Sequence, residues 1–103
     1  MKKSCLILLL CLFISVPLQG ASETIKIGFL VKLPEEPWFQ QQWTYAQQCA
    51  DAYGFELIPI GIPDAEKTLA AIDSLAAQGA QGFVICPPDP TLGPAVMARA
   101  QQY

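Results

Sequence analysis

The sequence predicts a partial doubly wound α/β fold with a parallel sheet, built from three strand-and-helix units in a row. Three observations predict it. Short apolar runs, Ile25 to Val31, Phe55 to Ile60 and Gly82 to Cys86, alternate with longer stretches in which apolar residues recur every three or four positions. The runs are mainly apolar on successive residues, as in strands covered on both faces of a parallel sheet. Two of the helical stretches stop at a glycine, Gly54 and Gly79. Consecutive units of this kind place parallel strands in one sheet through right-handed crossovers.

The elements follow in order. Ile25 to Val31 is the first strand. A helix from about Trp38 to Tyr53 carries Phe39, Trp43, Ala46, Ala50 and Tyr53 at steps of three and four, one apolar stripe that ends at Gly54. Phe55 to Ile60 is the second strand, and Pro59 confines it to an edge or to its own end because proline donates no ladder bond. Pro63-Asp64 opens the second helix, with Asp64 as N-cap and Leu69, Ile72, Leu75 and Ala76 as the buried face. Gly82 to Cys86 is the third strand. After the rigid turn Pro87-Pro88-Asp89-Pro90, a third helix starts near Thr91 or Leu92 and runs on to Tyr103.

Ahead of these units stands an address. Met1-Lys2-Lys3 is basic, Cys5 to Val16 is almost uninterruptedly apolar, and Pro17 to Ser22 brings a helix breaker and small residues, the pattern of a secretory signal peptide over residues 1–21. The apolar core is shorter than the ~20 residues of a spanning helix. Export removes Cys5 and Cys11, so Cys49 and Cys86 remain. They stand at opposite ends of their elements, and two free, mostly buried thiols are expected rather than a disulfide. With no histidine and no cysteine cluster, no metal site is expected. Loss of Lys2 and Lys3 leaves four basic against nine acidic residues, a balance that disfavours nucleic acid or an anionic membrane as partner.

The chemistry concentrates after the first strand. Dinucleotide and phosphate binders place a glycine-rich turn there, where backbone N–H groups approach the phosphates. This chain instead has Lys32-Leu33-Pro34-Glu35-Glu36-Pro37-Trp38, with two prolines and no glycine. A carboxylate accepts from neighbouring hydroxyls, an ammonium donates to hydroxyl or ring oxygens, and an indole face covers the C–H side of a sugar ring. Glu36, Lys32 and Trp38 supply one of each, so a small polyhydroxylated ligand is the expected class. Trp38 lies off the apolar stripe that holds Trp43, which leaves it free to face a cleft. Glu35 favours the positive end of the helix. Asp89 reads first as a turn or cap residue, and Cys86 as a small apolar residue near the ligand.

The stretches GFLVKLPEEPWFQQQW, IPDAEKTLAAIDSLAAQGAQGFVICPPDP and TLG resemble the N-terminal lobe of the periplasmic L-arabinose-binding proteins, sugar-binding subunits of ABC importers with the two-lobed type I fold. The resemblance covers Ile25 to Tyr103. It implies a periplasmic monosaccharide-binding role for L-arabinose or a similar pyranose, with Lys32, Glu36 and Trp38 touching the sugar and Cys86 close to the cleft. Asp89 is a further possible cleft-lining position. It also implies a membrane permease as partner, no cofactor, and a monomer when full length. Further acidic residues from the next strand, and an arginine and two asparagines from a second lobe, would complete the site beyond Tyr103. Residues 22–103 are accordingly expected to form an incomplete N-terminal lobe, since three strands leave a sheet edge and strand faces uncovered. Two rivals stand beside this: a non-functional remnant, and an exported carbohydrate-active enzyme using Glu35 and Glu36 as a carboxylate pair. Adjacent residues in one loop usually point apart, so an enzyme is not expected. A sugar-responsive repressor would open with a DNA-binding helix-turn-helix in place of an export signal.

Overall fold

Backbone pairing of the three apolar runs sets the frame. The computed structural model describes residues 23–103; the signal segment assigned to residues 1–21 lies outside the described residues. The strands are β1 (Lys26–Val31), β2 (Glu56–Gly61) and β3 (Gly82–Cys86), in the order β2-β1-β3 with both pairings parallel. Val31 pairs with Gly61 on one side and with Cys86 on the other, so all three strands end level. At β2 the flanking amides of Glu56 and Ile62 donate to the carbonyls of Ile25 and Val31. Even-numbered residues of β2 therefore face β1 with their N–H groups, and Pro59, an odd one, has its missing donor on the free edge.

Side chains alternate between the two faces of the sheet. Leu30, with Ile62, packs in a buried cluster with Ala71, Ile72, Leu75 and Val96, and Ile58, Ile60, Phe83 and Ile85 pack against it. This face carries α2 (Ala65–Ala77) and α3 (Gly93–Ala100). The odd-numbered residues of β1 face the other way, toward α1 (Pro37–Tyr53). Two layers of helix around one parallel sheet are the doubly wound arrangement.

The helix boundaries follow from their ends. Gly54 takes the left-handed conformation at φ 75° and donates its N–H to the Ala50 carbonyl, and after α2 Gly79, at φ 76°, donates its N–H to the Ala76 carbonyl. A side chain in that conformation is strained, which is why glycine stops both helices. Asp64 caps α2 by accepting from the Lys67 amide at 2.8 Å, and the wholly buried Thr68 donates its hydroxyl to the Asp64 carbonyl at 2.7 Å.

Several expectations are corrected. Tyr53 is 82% exposed, because it lies in the last turn of α1, past the reach of the sheet. Trp43 is half-buried rather than fully in the core, and its indole N–H donates to the Phe29 carbonyl at 3.0 Å. Cys49 is exposed and Cys86 half-buried; both are free thiols. The third helix begins as a 3-10 turn at Pro90–Leu92 and ends at Ala100, so it stops short of Tyr103. The buried residues of α2 are Thr68, Ala71, Ile72 and Leu75, while Leu69 and Ala76, expected on that face, are half-buried at its margin.

Candidate sugar-binding half-site

From β1 the chain passes to β2 on one side and then crosses to β3 on the other. The winding reverses between the loops after β1 and β3, and the carboxyl ends of the strands at such a reversal are the usual ligand position in an open α/β sheet. The structure places Lys32, Glu36 and Trp38 on the first of these loops and on the opening turn of α1. It places Asp89 after β3, and Cys86 at the last position of β3, paired with Val31. All five sequence-predicted positions therefore belong to one rim.

The loop is held by its own backbone. The Glu36 amide donates to the Leu33 carbonyl at 3.1 Å, closing a turn. The Glu36 carbonyl then accepts from the Phe39 and Gln40 amides and starts α1. Pro37 occupies the first helical position, where no N–H is needed. Phe39 is buried beneath the helix start, while Trp38 is 66% exposed. The apolar stripe thus anchors α1 through Phe39 and leaves the neighbouring indole to solvent.

The charged groups of the loop are uncommitted. Glu36 stands at the N-cap position, yet its side chain makes no cap hydrogen bond. The ion pairs among the described residues are Lys26 with Glu56 and Asp73 with Arg99, and neither involves the loop. Among the described residues neither the Lys32 ammonium nor the Glu36 carboxylate is in an ion pair, which suits both to the hydroxyl groups of a ligand. Lys32 is half-buried and Glu36 exposed. Asp89 is different: its Oδ1 accepts from the Thr91 amide at 2.8 Å and the Thr91 hydroxyl at 2.7 Å. Those bonds, the amide first, hold its carboxyl below the usual carboxylate range. The turn role expected of Asp89 is the one the structure gives it.

Two supporting residues escaped the sequence reading. Gln40 donates from Nε2 to the Pro34 carbonyl at 3.3 Å, a contact that a polar residue on a glutamine-rich helix does not announce. Gly61 ends β2 directly beneath Pro34: a Cβ placed on it would lie 2.8 Å from Pro34 Cγ. A glycine closing an apolar run was the only sequence signal for that approach.

Two hollows lie elsewhere. A cavity of about 380 Å³ sits between Ile72, Leu75, Phe83, Ala100 and Tyr103, and one of about 370 Å³ is bounded by Glu23, Lys26, Glu56 and Gln78. Both include residues at the amino ends of the strands, away from the rim. The rim itself brings together a cation, a carboxylate and an exposed aromatic side chain. Among the described residues, no three His, Cys, Asp or Glu side chains could together hold a metal ion.

The α/β frame and the polar and aromatic residues at its carboxyl rim set the terms for comparison with known proteins. The model of the family described as periplasmic binding proteins and sugar binding domain of LacI family matches residues 24–103, and the chain belongs to that family. It is 61% identical over 85 residues to the L-arabinose-binding periplasmic protein of Escherichia coli (strain K12), covering 82% of this chain and 26% of that protein. It is 53% identical over 89 residues to the ABC transporter L-arabinose-binding periplasmic protein of Azospirillum brasilense, covering 84% of this chain and 27% of that one. The chain thus spans about a quarter of the length of these curated relatives.

Proposed function

We propose that residues 23–103 form the sugar-docking wall of a periplasmic monosaccharide-binding protein that takes L-arabinose or a similar pyranose and delivers it to an ABC importer. The observation that carries this reading is the loop Lys32 to Trp38 at the reversal of the strand order, with its ammonium and its Glu36 carboxylate both outside the ion pairs among the described residues. The names of two relatives, each more than half identical over this segment, supply the sugar and the transporter.

In this reading the pyranose lays its C–H face on Trp38. Glu36 accepts from its hydroxyls, and Lys32 donates to hydroxyl or ring oxygens. Cys86 and Asp89 lie on the same rim. A second wall closing over the sugar by a hinge excludes water, and the closed form is what a permease recognises. Binding changes no covalent bond and calls on no cofactor, so the protein is a carrier and not an enzyme. Residues 1–21 act as the export signal and residues 22–103 as the first part of the N-terminal lobe, and a full-length protein works as a monomer in the periplasm.

The test uses a complete two-lobed protein in which residues 24–103 of this chain replace the matching segment of the E. coli relative. Calorimetric titration with L-arabinose should give saturable binding, lost or weakened about tenfold by Glu36→Gln or Lys32→Met, since an unpaired hydroxyl in a dry site costs about 1 to 3 kcal/mol. A folded chimera that ignores L-arabinose and other pyranoses would overturn the reading.

A further inference from the structure

We infer that Gly61, Pro34 and Gln40 form a positioning clamp that sets the height of the sugar-contact loop over the sheet, with Gly61 as its seat. This rests on the sugar-site reading above, and none of the three residues is placed in contact with the sugar.

The requirement at Gly61 is for space. Positive φ among the described glycines occurs at Gly54 and Gly79, so Gly61 holds ordinary extended backbone that any residue can adopt. Its partner in the ladder is Val31, the residue that leads into the loop. An added Cβ would stand 2.8 Å from Pro34 Cγ, 3.1 Å from Cβ and 3.5 Å from Cδ. A long flexible side chain could swing away from such a contact, but a proline ring is closed onto its own backbone and moves only with it. Any push at position 61 therefore travels into the loop backbone two residues after Lys32 and two before Glu36.

Pro34 is also held from the helix side. Gln40, on the second turn of α1, donates Nε2 to the Pro34 carbonyl at 3.3 Å, while the Leu33 carbonyl is tied to the Glu36 amide at 3.1 Å. The loop is thus pinned between the end of β2 and the start of α1, midway between the two charged groups that meet the ligand. Pinning matters because a hydrogen bond to a sugar hydroxyl tolerates little displacement: donor and acceptor must stand within about 2.5–3.2 Å with good alignment.

The test compares four variants in the chimera described above. Gly61→Val should weaken L-arabinose affinity by about tenfold or more, which is about 1.4 kcal/mol, and Gly61→Ala should weaken it less. Adding Pro34→Ala to Gly61→Val should recover at least part of that loss, because the ring that is struck has been removed. Gly93→Ala is the control, since a Cβ there meets nothing within 4 Å, and it should leave affinity unchanged. The apo melting temperature of Gly61→Val should fall by far less than its affinity implies, with the Trp38 emission change on sugar addition reduced. A parent that folds but does not bind sugar sinks the sugar-site reading. A parent that binds, with Gly61→Val binding equally well, or with Pro34→Ala giving no recovery, sinks the clamp and leaves the sugar site standing.

Discussion

Trp38 and Trp43 stand five positions apart on α1, a separation that turns the helix by about 140° beyond a full turn, and they meet different surroundings. Trp43 reaches back to the Phe29 carbonyl, whereas Trp38 is 66% exposed at the rim. In the complete protein Trp38→Ala should weaken sugar binding by about 1 to 3 kcal/mol, the scale of a lost large apolar contact, with little change in melting temperature. Trp43→Ala should instead cost about 2 to 4 kcal/mol of stability, less than a fully buried tryptophan but with a hydrogen bond lost as well. Calorimetry and thermal melts separate the two; equal loss of stability with unchanged affinity would put the tryptophans on the wrong faces. The carboxylates divide in the same way. Glu35→Gln should leave affinity nearly unchanged beside Glu36→Gln, and the opposite ranking would reverse the assignment of the inward group.

Among the elements, α2 is the best specified by its own sequence. Asp64 caps its first turn, and Asp64→Ala should lower stability by about 0.5 to 2 kcal/mol in a denaturant melt. The attachment of α3 should depend on pH. Asp73 accepts from Arg99 at 2.6 Å and from the Tyr103 hydroxyl at 2.9 Å, which lowers its carboxyl from the ordinary value of 3.8. A carboxyl lowered in the folded state contributes stability above its unfolded value and loses it as pH falls through the folded one. The melting-temperature gap between the parent and Asp73→Asn should therefore be full near neutrality and shrink toward zero at strongly acidic pH. The same bond raises the Tyr103 hydroxyl, so that contribution is present below the tyrosine's ordinary value and fades as pH rises past the raised one. A gap that stays constant down to strong acid would show that Asp73 acts only through packing.

For the molecule as a whole, legibility tracked range. Runs of apolar residues, the glycine stops and the Asp64 cap are local signals, and they located the three strands and the helix starts to within a residue or two. The rim was legible because Lys32, Glu36 and Trp38 are neighbours in sequence. What the sequence did not disclose depends on approach between distant residues: the Gly61 seat under Pro34, the Trp43 bond to Phe29, and Arg99 reaching Asp73 across 26 positions. Tyr53 misled for a related reason, since periodicity places it on the right face of α1 but cannot tell that the sheet has ended beneath it.

Being one wall of the proposed sugar site also bounds what this segment can do alone. A micromolar sugar complex needs about −8 kcal/mol, and a wall that leaves the far face of the ligand in water falls short of it. β2 and β3 are both edge strands among the described residues, and Val84 on β3 is 54% exposed, an arrangement that invites association. Residues 23–103 expressed by themselves should associate at high concentration, and titration should show no saturable L-arabinose binding below the millimolar range.

The most direct measurement of the central claim is calorimetric titration of L-arabinose into the chimera carrying residues 24–103, beside its Lys32→Met and Glu36→Gln variants. The account predicts saturable one-site binding by the parent and about tenfold or greater weakening in each variant, with melting temperatures of the sugar-free proteins nearly unchanged. Parent-like affinity in both variants would contradict it, because the loop after β1 would then not be the wall on which the sugar docks.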